Sequence, residues 1–145
     1  MGRNPDKCRA VQAEIASENG GKVPDVLVCD LSSQAEIRRA AAEFLDSGRP
    51  LHVLVNNAGL VNRHREESVD GIEMVFAVNY LAYFLLTLLL LERLKESAPA
   101  RIVNVSSDTH RVVSLDLDNL ELRDNYAFMR AYGRSKLAIV YFTLE

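Results

Sequence analysis

Apolar and polar positions fall into blocks along this chain, and the period changes from block to block. Asn4-Pro5-Asp6 has the chemistry of a helix start: an N-cap side chain, proline at the first helical position and an acid in the first turn. Cys8, Val11 and Ile15 then recur on one face, and Asn19-Gly20-Gly21 supplies a stop. Val26-Leu27-Val28-Cys29 is a continuous apolar run, the pattern of a strand covered on both faces, and it halts at Asp30. Ser33-x-x-Glu36 reads as a capping box opening a second helix, with Ile37, Ala41, Phe44 and Leu45 inward and Gly48 at its end. Leu51 to Val55 is a second strand, leading into Asn56-Asn57-Ala58-Gly59; His52 within it is assigned a packing role at the strand end. A polar loop from Val61 to Ser68 precedes a long apolar helix from about Val69 to Glu96, which Ala98-Pro99 breaks. Arg101 to Val105 is a third strand, ending in Ser106-Ser107. A polar loop of roughly eighteen residues follows, a length usually functional or mobile. The last helix runs from about Asn125 to the C-terminus.

Helices and strands alternate, which predicts a parallel α/β sheet with right-handed crossovers. Ligands in such sheets sit beyond the carboxyl ends of the strands. Asp30, Asn56-Asn57-Ala58-Gly59 and Ser106-Ser107 all fall at those ends. Each could be turn chemistry alone; their coincidence at one edge points to a site.

Composition sharpens this picture. The 145 residues suffice for one domain with a core, and 48% hydrophobic with 26% charged residues describes a globular chain. A net charge of −3 with signs mixed argues against a nucleic-acid surface. Cys8 and Cys29 form no CxxC or Cys/His cluster, so reduced thiols in a cytosol-facing protein are expected, with no metal site. The first residues carry no apolar signal-peptide core. Met74 to Leu91 is apolar apart from Asn79 and Thr87 and reaches the lower length range of a membrane span. An asparagine in lipid is costly, and the segment lies between two strands, so it is read as a buried crossover helix.

The strongest chemistry lies in Ala131-Tyr132-Gly133-Arg134-Ser135-Lys136. Tyr132 and Lys136 are four residues apart, one turn apart on one helix face. A phenol is a poor acid or base at neutral pH, and a fixed ammonium beside it favours the phenolate. The pair suits proton exchange with a carbonyl or alcohol oxygen. Alone, the pair is a weak signal, since a surface lysine beside a half-buried tyrosine has the same ordinary helical spacing.

Together, Asp30-Leu31, Asn56-Asn57-Ala58-Gly59, Asn79, Val105-Ser106-Ser107 and Tyr132-x-x-x-Lys136 resemble the short-chain dehydrogenase/reductase family over essentially the whole chain. Ala100 to Ser107 and Arg130 to Ala138 look most like its retinol dehydrogenase branch. The resemblance implies an oxidoreductase that moves a hydride between NAD(P)(H) and an alcohol or carbonyl of an apolar small molecule. It gives Tyr132 the proton transfer and Lys136 the support of Tyr132 and a hydrogen bond to the nicotinamide ribose. Ser107 would hold the substrate oxygen; it is preferred to Ser106 because strand side chains alternate faces and the family places its serine there. Asn79 would help order a water relay to Lys136; a buried amide bonded to neighbouring backbone is the other reading, and the two can hold together. Asp30 and Leu31 would flank the adenine, with Asn57, Ala58 and Gly59 along the cofactor. Arg3 matches an arginine that pairs with the 2′-phosphate of NADP, unless it is a frayed surface residue. NADP is therefore the expected cofactor, with NAD as the alternative.

The family's Thr-Gly-x-x-x-Gly-x-Gly phosphate loop has no counterpart here. The resemblance numbers the present strands third, fourth and fifth in a sheet ordered 3-2-1-4-5-6-7. Residues 1–145 are thus expected to be an incomplete Rossmann-like domain lacking the first two and the last strands, marginally stable and inactive alone. The missing strands would leave a gap of about 14 Å at ~4.8 Å per spacing. Two other readings remain: a non-catalytic module dimerising through the 74–91 and 126–145 helices, and a compact flavodoxin-like sheet in which the three strands pair directly. A membrane anchor in a longer parent is compatible with all three.

Overall fold

The computed structural model describes residues 1–145. Four helices and two strands form: α1 (Pro5–Glu18), α2 (Gln34–Asp46), β1 (Val53–Asn56), α3 (Met74–Glu96), β2 (Arg101–Asn104) and α4 (Phe128–Leu144). The start signals act as expected. Asn4 accepts from the Lys7 amide at 2.9 Å and Ser33 from the Glu36 amide at 3.3 Å. Glu36 turns to Arg39 instead of closing the capping box.

β1 and β2 pair in parallel, Val53 opposite Arg101 through Asn56 opposite Asn104. The expected strand over Val26–Cys29 is reduced to one parallel bridge, Gly2 to Val28. An extended segment becomes a strand only where a neighbour takes its backbone groups. Gly2 is the only backbone partner here, through Gly2 N to Leu27 O and Cys29 N to Gly2 O, while the Arg39 guanidinium takes the Val28 carbonyl. The compact sheet in which three strands pair directly does not form, since β1 pairs only with β2.

The core joins α2 to α3 beneath β1: Cys29, Ile37, Ala40, Ala41, Leu54, Ala82, Leu86, Leu90 and Leu94. β1 sends Leu54 and Asn56 into it, while Val53 and Val55 are exposed. The apolar strand is therefore covered on one face only. His52 is exposed rather than packed. α1 buries no residue, and Val11 and Ile15 face an open cleft of about 500 Å³ beside Pro24 and Val26.

α3 is long and apolar enough to cross a membrane by length and composition, yet 56% of that stretch is buried inside the fold. It starts at Met74, five residues later than Val69, because Ser68–Ile72 closes a turn with Gly71 at φ 74°. Glu73 then caps the helix, accepting from the Val75 and Phe76 amides. α4 starts at Phe128, not Asn125, because Asn125 takes φ 55° and cannot enter a right-handed helix. The expected loop between β2 and α4 contains a 3₁₀ turn over Asp108–Val112.

Candidate active site

α3 contains one π-helical turn, Ala77–Leu81, with Asn79 at its centre and fully buried. Such turns insert an extra residue and re-aim a side chain. Asn79 Oδ1 accepts from the Leu60 amide at 2.9 Å. Its Nδ2 donates to Leu60 O at 3.0 Å and to Ser135 Oγ at 3.1 Å. Both amide hydrogens are thus committed to neighbouring groups, and only an Oδ1 lone pair remains for water. Ser135 passes the connection on, donating to Tyr132 O at 2.7 Å. One amide therefore ties the chain after β1, the middle of α3 and the helix of Tyr132 into a single joint.

Lys136 is 3% exposed. Its Nζ donates to Val105 O at 2.8 Å and lies 5.6 Å from the Tyr132 ring centroid, within cation–π range. Burial pushes its ammonium below the ordinary lysine value. The backbone of the same residue accepts from Ser106 Oγ at 2.9 Å, locking β2 to α4. Gly59 passes close by: a Cβ there would sit 3.4 Å from Asn79 Oδ1 and 3.8 Å from Lys136 Nζ. A bare glycine keeps the post-β1 chain tight against both polar groups.

Tyr132 is half-buried, packed on the cluster of Val75, Leu122 and Ala131. Ser107 lies at the end of β2, half-buried, and caps the 3₁₀ turn by accepting from the Thr109 amide at 3.4 Å, a weak bond. The Ser106 hydroxyl is the one spent on α4.

Arg3, Asp30, Leu31, Ala58 and Gly59 line one cavity of about 230 Å³, together with Met74 and Val78. Five of the six residues expected along the cofactor's nucleotide side, drawn from three separate segments, thus meet at the strand ends; Asn57 stays outside. Its volume lies below the roughly 300–1,000 Å³ of ordinary small-molecule sites. Asp30 Oδ1 is already used by Ser32, through its amide at 2.9 Å and its hydroxyl at 2.8 Å.

Sequence reasoning missed several supports. Tyr83 donates to Ala58 O at 2.6 Å, and burial with the nearby Tyr132 pushes its phenol up to about 12, so it stays a donor. Asn56 bridges Thr87 Oγ1 and Asn104 Oδ1, explaining the second polar residue in the apolar helix. Ser135 carries no sequence signal, since serine on a helix is common; its value comes from what α3 brings opposite it.

The model of the family described as short chain dehydrogenase matches residues 1–145. Human polyprenol dehydrogenase is 43% identical over 98% of this chain and 44% of its own length. Human retinol dehydrogenase 11 is 45% identical over 99% of the chain and 45% of its own. The solved structure of NADPH-bound carbonyl reductase from chicken fatty liver is 27% identical with a TM-score of 0.67, covering 98% of this chain and 58% of that one. The chain spans under half the length of the curated relatives it matches. It belongs to the short-chain dehydrogenase family.

Proposed function

We propose that this member of the short-chain dehydrogenase family serves hydride transfer between NAD(P)(H) and an alcohol or carbonyl of an apolar small molecule. The observation that carries the reading is the joint at Gly59. There the predicted nucleotide residues on one side meet Asn79 and Lys136 on the other, and Lys136 shares its helix with Tyr132.

The nicotinamide, when bound, supplies or accepts the hydride. Arg3, Asp30, Leu31, Ala58 and Gly59 would hold the adenosine end, and Arg3 on that cavity favours NADP through its guanidinium fork. Lys136 would hold the nicotinamide ribose. These 145 residues contain no glycine-rich loop for the pyrophosphate. Tyr132 gives its hydroxyl proton to the carbonyl oxygen in reduction and takes it back in oxidation. The Lys136 ammonium, fixed by Val105 O, stands 5.6 Å from the centroid of the Tyr132 ring. Ser107 orients the substrate oxygen, its hydroxyl held only by a weak bond to Thr109. Asn79 keeps Gly59 and Leu60 in register with Lys136, with Oδ1 able to accept one water.

A second reading rests on apolar surface. Phe76, Tyr80, Phe84 and Phe142 stack in a ladder along α3 and α4, with centroids 5.1, 6.2 and 5.4 Å apart. Phe84 in the ladder is exposed, as are Leu88 and Tyr141 on the same two helices. That face suits pairing with a second copy, whether or not hydride transfer occurs.

The test is NADPH titration of the 145-residue chain, read by nicotinamide fluorescence; the chain has no tryptophan to compete. Saturable binding that weakens at least roughly tenfold in Lys136→Ala supports the reading. No binding up to about 1 mM cofactor in a folded sample, a level weaker than ~4 kcal/mol, overturns it for this chain and leaves the pairing face as its role.

A further inference from the structure

The segment from Ser107 to Phe128 is fastened around the first turns of α4 as a strap. Gly133 is one fastening: a Cβ there would lie 2.8 Å from Val113 Cγ1 and 3.1 Å from Thr109 O. Arg134 is another. It is 6% exposed, and a guanidinium so buried needs its donors used. Nε donates to Ser114 O at 3.1 Å, Nη1 donates to Asn119 O at 2.7 Å, and Nη2 stands 3.8 Å from Asp116 Oδ2.

Asn119 is the pivot of the strap. The carbonyl that takes Arg134 also accepts from the Leu122 amide at 3.1 Å. Its side chain accepts from the Arg123 amide at 2.8 Å and donates to Asp124 O at 3.1 Å. The turn so closed holds Leu122 at φ 49°, a left-handed conformation leucine adopts only when its surroundings impose it. Leu122 is 2% exposed and joins Val75 and Ala131 in the cluster on which Tyr132 rests.

We propose that Arg134 and Asn119 form a clasp that drives Leu122 into this cluster and thereby fixes the Tyr132 ring, making all three positioning residues. The inference rests on the reading of Tyr132 as the proton-transfer group, but its first readout does not depend on turnover. The five tyrosines of the 145-residue chain are labelled with ¹³C in the ring, and Tyr132→Phe assigns the Tyr132 signal. Arg134→Ala and Leu122→Ala are each expected to move the Tyr132 ring resonance by several linewidths and leave that of exposed Tyr141 in place. Arg134→Lys restores it only in part, because one ammonium cannot reach both carbonyls. Trypsin cleavage after Arg123 accelerates about tenfold in Arg134→Ala as the strap opens locally. In carbonyl reduction, kcat falls roughly tenfold while KM for NADPH is unchanged.

Faster cleavage at Arg123 with an unmoved Tyr132 ring overturns the proposal, because Arg134 then holds only a surface loop. A shift in Leu122→Ala without one in Arg134→Ala overturns the clasp. If Arg134→Ala does not fold, Asn119→Ala and Arg134→Lys pose the same question. Absence of turnover in the unsubstituted chain refutes the enzymatic reading and leaves the ring test standing.

Discussion

Replacing Asn79 by alanine tests the joint on which the site depends. The substitution removes three hydrogen bonds: two to Leu60 and one to Ser135. A buried intramolecular hydrogen bond contributes about 1 kcal/mol net, so the loss is about 3 kcal/mol. Leu60 is half-buried and its backbone groups can rehydrate in part, whereas Ser135 is fully buried and keeps only its bond to Tyr132 O. With a urea m-value of ~2 kcal/mol/M, the unfolding midpoint should fall by about 1.5 M. Asn79→Asp should cost at least as much: it keeps an acceptor for Leu60 N but sets a carboxylate against Leu60 O. The pairing with Ser135 adds an internal check. Asn79→Ala and Ser135→Ala delete the same bond, so the double variant should be less destabilised than the sum, by about 1 kcal/mol. A midpoint shift under about 0.3 M for Asn79→Ala, or strict additivity with Ser135→Ala, would refute the claim that this amide joins β1, α3 and α4.

Two further expectations follow from the same elements. Gly133→Ala forces a methyl against Val113 and the Thr109 carbonyl, and should cost about 1–3 kcal/mol by urea unfolding and lower activity with it. Lys136 has its folded pKa below the ordinary 10.5, so between those two values the unfolded chain binds more protons there and this group's contribution to stability rises with pH. The penalty of burying the ammonium is fully present at any pH below the folded value. The stability of the unsubstituted chain relative to Lys136→Met should therefore increase as the pH is raised through that window toward 10.5; a flat or falling difference in urea midpoints would contradict a desolvated ammonium.

Much of the local structure was legible in the chain because its causes are local. Asn4 and Ser33 cap helices through bonds spanning three residues, and Gly48 ends α2 at φ 69°. The helix start expected at Val69 was displaced by Gly71 and the start at Asn125 by that residue's own positive φ. Both are backbone choices that an apolar periodicity does not report. The apolar run Val26–Cys29 looked like a strand, but strand formation depends on a partner distant in sequence, and only Gly2 supplies one.

The sequence alone determined the family's pattern of chemistry: Tyr132 and Lys136 on one helix face, with polar residues at successive strand ends. It determined this because helical spacing and strand termination are written within a few residues. The tertiary structure decided what those residues touch. It gathered Arg3, Asp30, Leu31, Ala58 and Gly59 around one cavity, bonded Asn79 to Leu60 and Ser135, and buried Arg134 to hold a strap. Such contacts join residues 15 to 56 positions apart, and no local rule encodes them. They arise only when α3, α4 and the strap pack and each buried donor must find an acceptor.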